Sequence, residues 1–181
     1  MKRRIARALA LAGLAAAGLA GCADQPPKEP RPPRLISTDF DPDIMLVGYD
    51  VAKDLSIDGT AQARLRTNID RATHEEHHQV YMVLLYYGRT WQTFATATDA
   101  NRQPLKVIQI SRTPGKCGVT HYECMYIETI AALVPDKDLR AAAGIGYQLQ
   151  IRSKAGDAEV IAVTPDQIRA QLAAVDPLLM K

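Results

Sequence analysis

The sequence predicts a mainly β protein, an antiparallel β-sandwich or small barrel of about seven strands with a C-terminal helix. Three observations lead there. Tyr147, Leu149 and Ile151 alternate with Gln148, Gln150 and Arg152, the period of a half-buried strand. Gln79 to Tyr87 is nearly continuous apolar with two β-branched residues, which predicts a strand buried on both faces. Thr164-Pro165-Asp166-Gln167 is a capping box with proline at the first helical position, and Ile168, Leu172 and Val175 beyond it share one helical face.

Taken in chain order, the first element is not part of that fold. Lys2, Arg3, Arg4 and Arg7 form a basic stretch, followed by an apolar run from Ala8 to Ala20 made of Ala, Leu and Gly. Spanning a bilayer core takes roughly 20 apolar residues, so this run is too short for that and has the length of a signal-peptide h-region. It ends in Leu19-Ala20-Gly21-Cys22, which resembles the lipobox of bacterial lipoprotein precursors. The resemblance implies cleavage before Cys22, a lipid on its thiol and acylation (palmitate or similar) of its freed amino group. Two or three acyl chains anchor a protein stably, since each buried methylene contributes about 0.8 kcal/mol. Ala23, rather than Asp, follows Cys22, which by the same resemblance implies the outer membrane, facing the periplasm.

Residues 23–34 hold five prolines among twelve. Such a segment favours extended polyproline II at ~3.1 Å per residue and predicts a tether reaching up to roughly 35–40 Å. The expected organisation is a signal peptide over 1–21, a lipidated cysteine and tether over 22–34, and one β-rich extracytoplasmic domain over 35–181. About 160 residues follow the signal, enough for one core and not for two.

Within the domain, Ala61, Ala63, Leu65, Thr67 and Ile69 alternate as in a strand. Ala61, Leu65, Ile69 and Ala72 also fit a helical face, but the neighbouring β pattern favours the strand. Thr90 to Thr98, rich in Thr and aromatics, predicts another, followed by a turn at Asp99-Ala100-Asn101-Arg102 and a strand from Leu105 to Arg112. Cys124 to Leu133 supplies the next, and a short helix runs from about Asp136 to Ala143, stopped by Gly144. Lys154-Ala155-Gly156-Asp157 turns the chain so that Ala158 to Val163 returns as a hairpin arm.

With Cys22 lipidated, Cys117 and Cys124 remain as an even pair, which in an oxidising compartment predicts a disulfide pinning the start of a strand. The closed loop of about eight residues gives a chain-entropy estimate of ~2.5 kcal/mol. A metal site with His121 or Glu123 and a redox pair are the alternatives, but C-x6-C is neither a common zinc spacing nor the C-x-x-C of thiol oxidoreductases. The stretch from Cys117 to Ala142, CGVTHYECMYIETIAALVPDKDLRAA, resembles a group of proteobacterial lipoproteins that carry a paired-Cys hairpin, an acidic strand and a short helix before a closing hairpin. The resemblance spans roughly the C-terminal two thirds and implies a fold but no reaction.

Charge excludes one class of partner. The chain carries 22 Lys+Arg against 20 Asp+Glu, but four of the basic residues and no acidic one lie in residues 1–21, leaving 18 against 20. That net of −2 leaves no basic stripe for nucleic acid.

The most tempting catalytic pattern is His74-Glu75-Glu76-His77-His78, which satisfies H-E-x-x-H. In zinc proteases that pattern lies on a helix, with the two histidines on one face and the glutamate activating a metal-bound water. Here polar Glu76 and His77 fill the interior positions and the chain passes at once into the strand expected from Gln79. In an extended segment His74 and His78 would stand ~13 Å apart. A polar hairpin loop is the expectation, with no metal assigned and His74 and His78 as ligands only in the alternative. Trp91 and Phe94, with Tyr86 and Tyr87, form either core or a recognition patch, core being the commoner use. Glu123 and Glu128, five apart on a strand, fall on opposite faces and do not make a glycosidase pair. No phosphate-cradling glycine loop, nucleophile elbow or dinucleotide fingerprint is present.

The expected function is therefore a non-enzymatic binding or structural role in the cell envelope. It requires no cofactor and has the membrane, reached through Cys22, and an envelope protein as partners. A zinc-dependent hydrolase built on His74, Glu75 and His78, and an accessory subunit of a secretion or transport machine, are the alternatives.

Overall fold

The alternation over residues 61–71 is realised as an extended strand. In the computed structural model, which describes residues 32–52, 59–118 and 124–180, strands β1 (Arg34–Leu35), β2 (Asp43–Ala52), β3 (Gly59–Asp70) and β4 (Glu76–Gly88) follow one another as an antiparallel meander. The chain then leaves this sheet for β5 (Phe94–Asp99) and β6 (Pro104–Leu105), and returns as the hairpin β7 (Val107–Cys117) and β8 (Cys124–Val134). Helix α1 (Asp136–Ala141) and a 3-10 turn (Ala142–Gly144) lead to the hairpin of β9 (Tyr147–Ser153) and β10 (Ala158–Val163), and α2 (Pro165–Leu179) closes the fold. The result is a six-stranded sheet in the order β1-β2-β3-β4-β8-β7 and a four-stranded sheet in the order β10-β9-β5-β6, both antiparallel. The mainly β class and the terminal helix are as expected. The sheets stay open, so the barrel alternative is not formed.

The core lies between the sheets. Leu65, Val80, Met82, Leu84, Ile130 and Ala132 on the larger sheet join Phe94, Leu149, Ile151, Ile161 and Val163 on the smaller in one buried cluster. Each large aliphatic buried here contributes roughly 1.5–3 kcal/mol. Helix α2 presents the expected Ile168, Leu172 and Val175, and its end packs on Leu46 and Ile69 of β2 and β3. Gln171, on the same buried stripe, donates to the Leu46 carbonyl at 3.3 Å and to Thr67 Oγ1 at 3.0 Å. Gly48 permits that approach, because a Cβ there would lie 2.8 Å from Gln171 Oε1.

Four local expectations shift. Strand β4 is wholly buried on one face only. Val80, Met82, Leu84 and Tyr86 point into the core, while Tyr81, Val83 and Leu85 are half-buried and Tyr87 is 56% exposed. Among the described residues no element lies over that second face. Thr90 to Thr93 is not strand, because the backbone N–H of Gln92 donates to Tyr86 Oη at 2.9 Å and that of Thr93 to Glu128 Oε1 at 2.8 Å. The segment from Leu105 to Arg112 splits at Lys106, where the chain changes sheets. The residue with left-handed φ after α1 is Gly146 (φ 89°), not Gly144; a Cβ at Gly146 would lie 2.9 Å from the Val163 carbonyl.

Strand β7 forms a long edge of the larger sheet. Two register shifts and Pro114 interrupt its ladder, and Arg112 and Lys116 place exposed charge on it, devices that disfavour edge-to-edge pairing.

Candidate functional site

Among the described residues, three places that gather polar or aromatic side chains are set by strand register. The first lies where β4 begins. His78, on the core-facing side of β4, is wholly buried opposite Thr67 of β3, and its Nδ1 is hydrogen-bonded to Thr67 Oγ1 at 2.9 Å. Its Nε2 faces Asp136 Oδ1 at 3.1 Å and Glu76 Oε2 at 3.5 Å. Glu76 is two residues earlier in β4, hence on the same face, and Asp136 is the first residue of α1. Arg140, one turn further along α1, donates to Asp136 Oδ1 at 2.6 Å, Glu76 Oε1 at 3.0 Å and Asp176 Oδ1 at 2.9 Å. Burial pushes the Asp136 carboxyl up, but His78, Glu76 and Arg140 together hold it below its ordinary value. Glu76, above all, raises the Arg140 guanidinium. A cavity of about 260 Å³ opens beside this cluster, with Glu76, His78, Asp136, Leu105 and Lys106 in its wall.

The H-E-x-x-H pattern is thus divided between two backbone conformations. His74 is exposed, in the tight β3–β4 turn with φ 58°, where Asp70 Oδ1 accepts from the N–H groups of Ala72 and Thr73 at 2.8 Å each. His77 points away from His78 and lies 3.8 Å from Glu75. The helical face that would bring His74 and His78 one turn apart is not formed, because β4 pairs with β3 from Glu76 onward. The residues that do converge on His78 are Glu76 and Asp136. The second lies 58 positions along the chain and left no local sequence signal.

The second place is a buried carboxylate. Glu128 of β8, fully inaccessible, accepts from the Tyr86 hydroxyl and the Thr93 N–H through Oε1, while Arg112 of β7 stands 3.4 Å from Oε2. Burial and then the Glu128 hydrogen bond push the Tyr86 hydroxyl far above its ordinary value. Arg112 lies over the Trp91 ring at 5.6 Å, and Trp91 packs on Tyr126 at 4.6 Å. These contacts fix the loop before β5. The aromatic set therefore divides: Tyr86 and Phe94 are core, Trp91 packs partly buried against it, and Tyr87 is on the opposite face. Glu123 and His121 lie outside the described residues, so only Glu128 of the carboxylate pair is placed.

The third place is the uncovered face of the larger sheet. Arg64 and Arg66 of β3, Val47 of β2 and Tyr81 of β4, with Arg34 and Ile36, surround a depression of about 190 Å³. Arg66 lies 4.6 Å over the Tyr81 ring and donates to Gln79 Oε1 at 3.0 and 2.5 Å. Burial lowers its guanidinium below the ordinary value. None of the described residues lining this depression is acidic. This local basic patch departs from the expectation that a net charge of −2 leaves none, because net charge says nothing of clustering; the sequence carried a signal for it, since arginines two apart on a strand share a face.

Cys117 and Cys124 form a disulfide that closes the β7–β8 hairpin, joining the last residue of β7 to the first of β8. Cys22 lies outside the described residues. No protein-family model, curated protein or solved structure matches this chain.

Proposed function

We propose that this chain is a lipid-anchored protein of the bacterial cell envelope, held at the outer membrane through Cys22, whose β-sandwich is a non-enzymatic binding module. The Pro-rich segment sets the reach of the domain, and the open face of the six-stranded sheet receives an acidic segment of an envelope protein. The observation that carries the binding role is that face: arginines 34, 64 and 66 around Tyr81, with no acidic residue among the described lining. A partly buried guanidinium whose hydrogen bonds, among the described residues, go to a neutral amide offers an incoming carboxylate a charge-assisted hydrogen bond. Half-buried Val83 and Leu85 extend the surface with apolar area, and the Cys117–Cys124 disulfide accords with an oxidising compartment.

The anchor is tested by labelling growing cells with a palmitate analogue. Label on the full-length protein that Cys22→Ala abolishes, with release of the protein from the membrane fraction, supports the reading. Equal labelling of both forms, or a Cys22→Ala protein still held as firmly in the membrane, refutes it.

A further inference from the structure

We infer that Glu76, His78 and Asp136 form a binding site for a single divalent transition-metal ion of the zinc class, distinct from the basic face that supports the binding role. One donor atom from each residue lies within 4.8 Å of the other two. Zinc bound tetrahedrally at ~2.0–2.1 Å places neighbouring ligand atoms roughly 3.3 Å apart. The His78 Nε2 distances of 3.1 Å to Asp136 Oδ1 and 3.5 Å to Glu76 Oε2 bracket that value.

The surroundings of the imidazole support the same reading. A metal-binding histidine is usually oriented by a hydrogen bond at its other ring nitrogen. His78 Nδ1 has such a partner in Thr67 Oγ1, which Gln171 holds in turn at 3.0 Å, and all three residues are wholly buried. A cation between Nε2 and the two carboxylates would take the place of the proton that Nε2 shares with Asp136, with the ring proton then on Nδ1 and donated to Thr67 Oγ1. Glu76 Oε2 is buried without a hydrogen-bond partner, a costly condition for a carboxylate oxygen that a cation would relieve. Arg140 engages the other oxygen of Glu76, Oε1, and also donates to Asp136 Oδ1 at 2.6 Å, an oxygen the ion would share with it. Charge agrees as well: Glu76, Asp136 and Asp176 outnumber Arg140 and the cavity-lining Lys106 by three to two. Three protein ligands leave a fourth coordination position for water or a small anion, and the cavity lies beside it.

The test is calorimetric titration of zinc into the untagged, full-length, detergent-solubilised protein after chelator treatment. One saturable equivalent is expected. The His74→Ala/His77→Ala variant keeps it, because neither residue belongs to the set. Glu76→Gln weakens binding at least about tenfold, and Thr67→Val, which leaves all three ligands in place, weakens it about 10–100-fold. Circular dichroism confirms that each variant is folded before titration. Absence of saturable binding at millimolar zinc overturns the inference. So does a site lost in His74→Ala/His77→Ala, which is adventitious capture by the histidine-rich turn. Equal affinity in Glu76→Gln and the parent protein overturns it also.

Discussion

Replacing Glu128 by alanine should cost about 4 kcal/mol. The side chain is fully inaccessible and accepts hydrogen bonds from the Tyr86 hydroxyl and the Thr93 N–H. Each bond to a charged acceptor is worth about 1.5 kcal/mol or more, so losing both accounts for roughly 3 kcal/mol. The lost methylene packing adds about 0.8 kcal/mol. Arg112 adds little, since its side chain is 36% exposed and water replaces its partner. Glu128→Gln keeps an acceptor for both donors but places an amide beside the Arg112 guanidinium, so it should cost about half as much. Urea unfolding measures both values. A second readout follows from position: Trp91 is the only tryptophan, and it sits in the loop that Glu128 holds. Folded Glu128→Ala protein should therefore show red-shifted tryptophan emission. A cost below about 1 kcal/mol with unchanged emission would refute the role assigned to this carboxylate.

Three further outcomes can be measured. The Tyr147 hydroxyl is buried without a hydrogen-bond partner, and burial, with Asp99 and Asp138, pushes it up to about 12. The folded value is the raised one, so this contribution is complete below about pH 10 and is lost as pH rises towards about 12. Tyr147→Phe should leave neutral stability unchanged or slightly higher and flatten the alkaline loss in a pH series of thermal melts; a steeper loss would contradict the assignment. Replacing Cys117 and Cys124 by serine should lower stability by about 2.5 kcal/mol in urea titration, whereas a change under 0.5 kcal/mol would leave the hairpin closure without energetic weight. Thr164 accepts from the Gln167 N–H and the Gln167 side chain returns to the Thr164 N–H, so Thr164→Ala should cost about 1 kcal/mol, read as a lower melting temperature.

Much of the fold was legible because several elements have one wet and one dry face. Tyr147 to Arg152 alternates cleanly for that reason, and the capping box at Thr164 marks the start of α2 on local chemistry alone. Strand β2 escaped notice because Ile44 and Leu46 face inward while Met45 and Val47 face outward, all apolar, and Gly48 then interrupts the run. Thr90 to Thr93 reads as strand by composition, but its N–H donors are taken by Tyr86 and by Glu128, the latter 35 residues away. The histidine-rich tract illustrates the same limit. Its spacing suggested partners within five residues, whereas register turned His77 outward and set His78 against Thr67 and Asp136. Clustering that depends on sheet order and on a helix 58 residues downstream leaves no periodic trace in the chain.

The binding role is tested most directly by in-cell photo-crosslinking from position 81, in the middle of the open sheet face, with the full-length lipidated protein. A discrete crosslinked envelope protein is expected, one that disappears in Arg66→Glu, where charge at the face is reversed, and in Cys22→Ala, where the domain is no longer held at the membrane. A crosslink to the same protein at undiminished yield in Arg66→Glu, or only diffuse crosslinking to bulk membrane protein, would contradict that role.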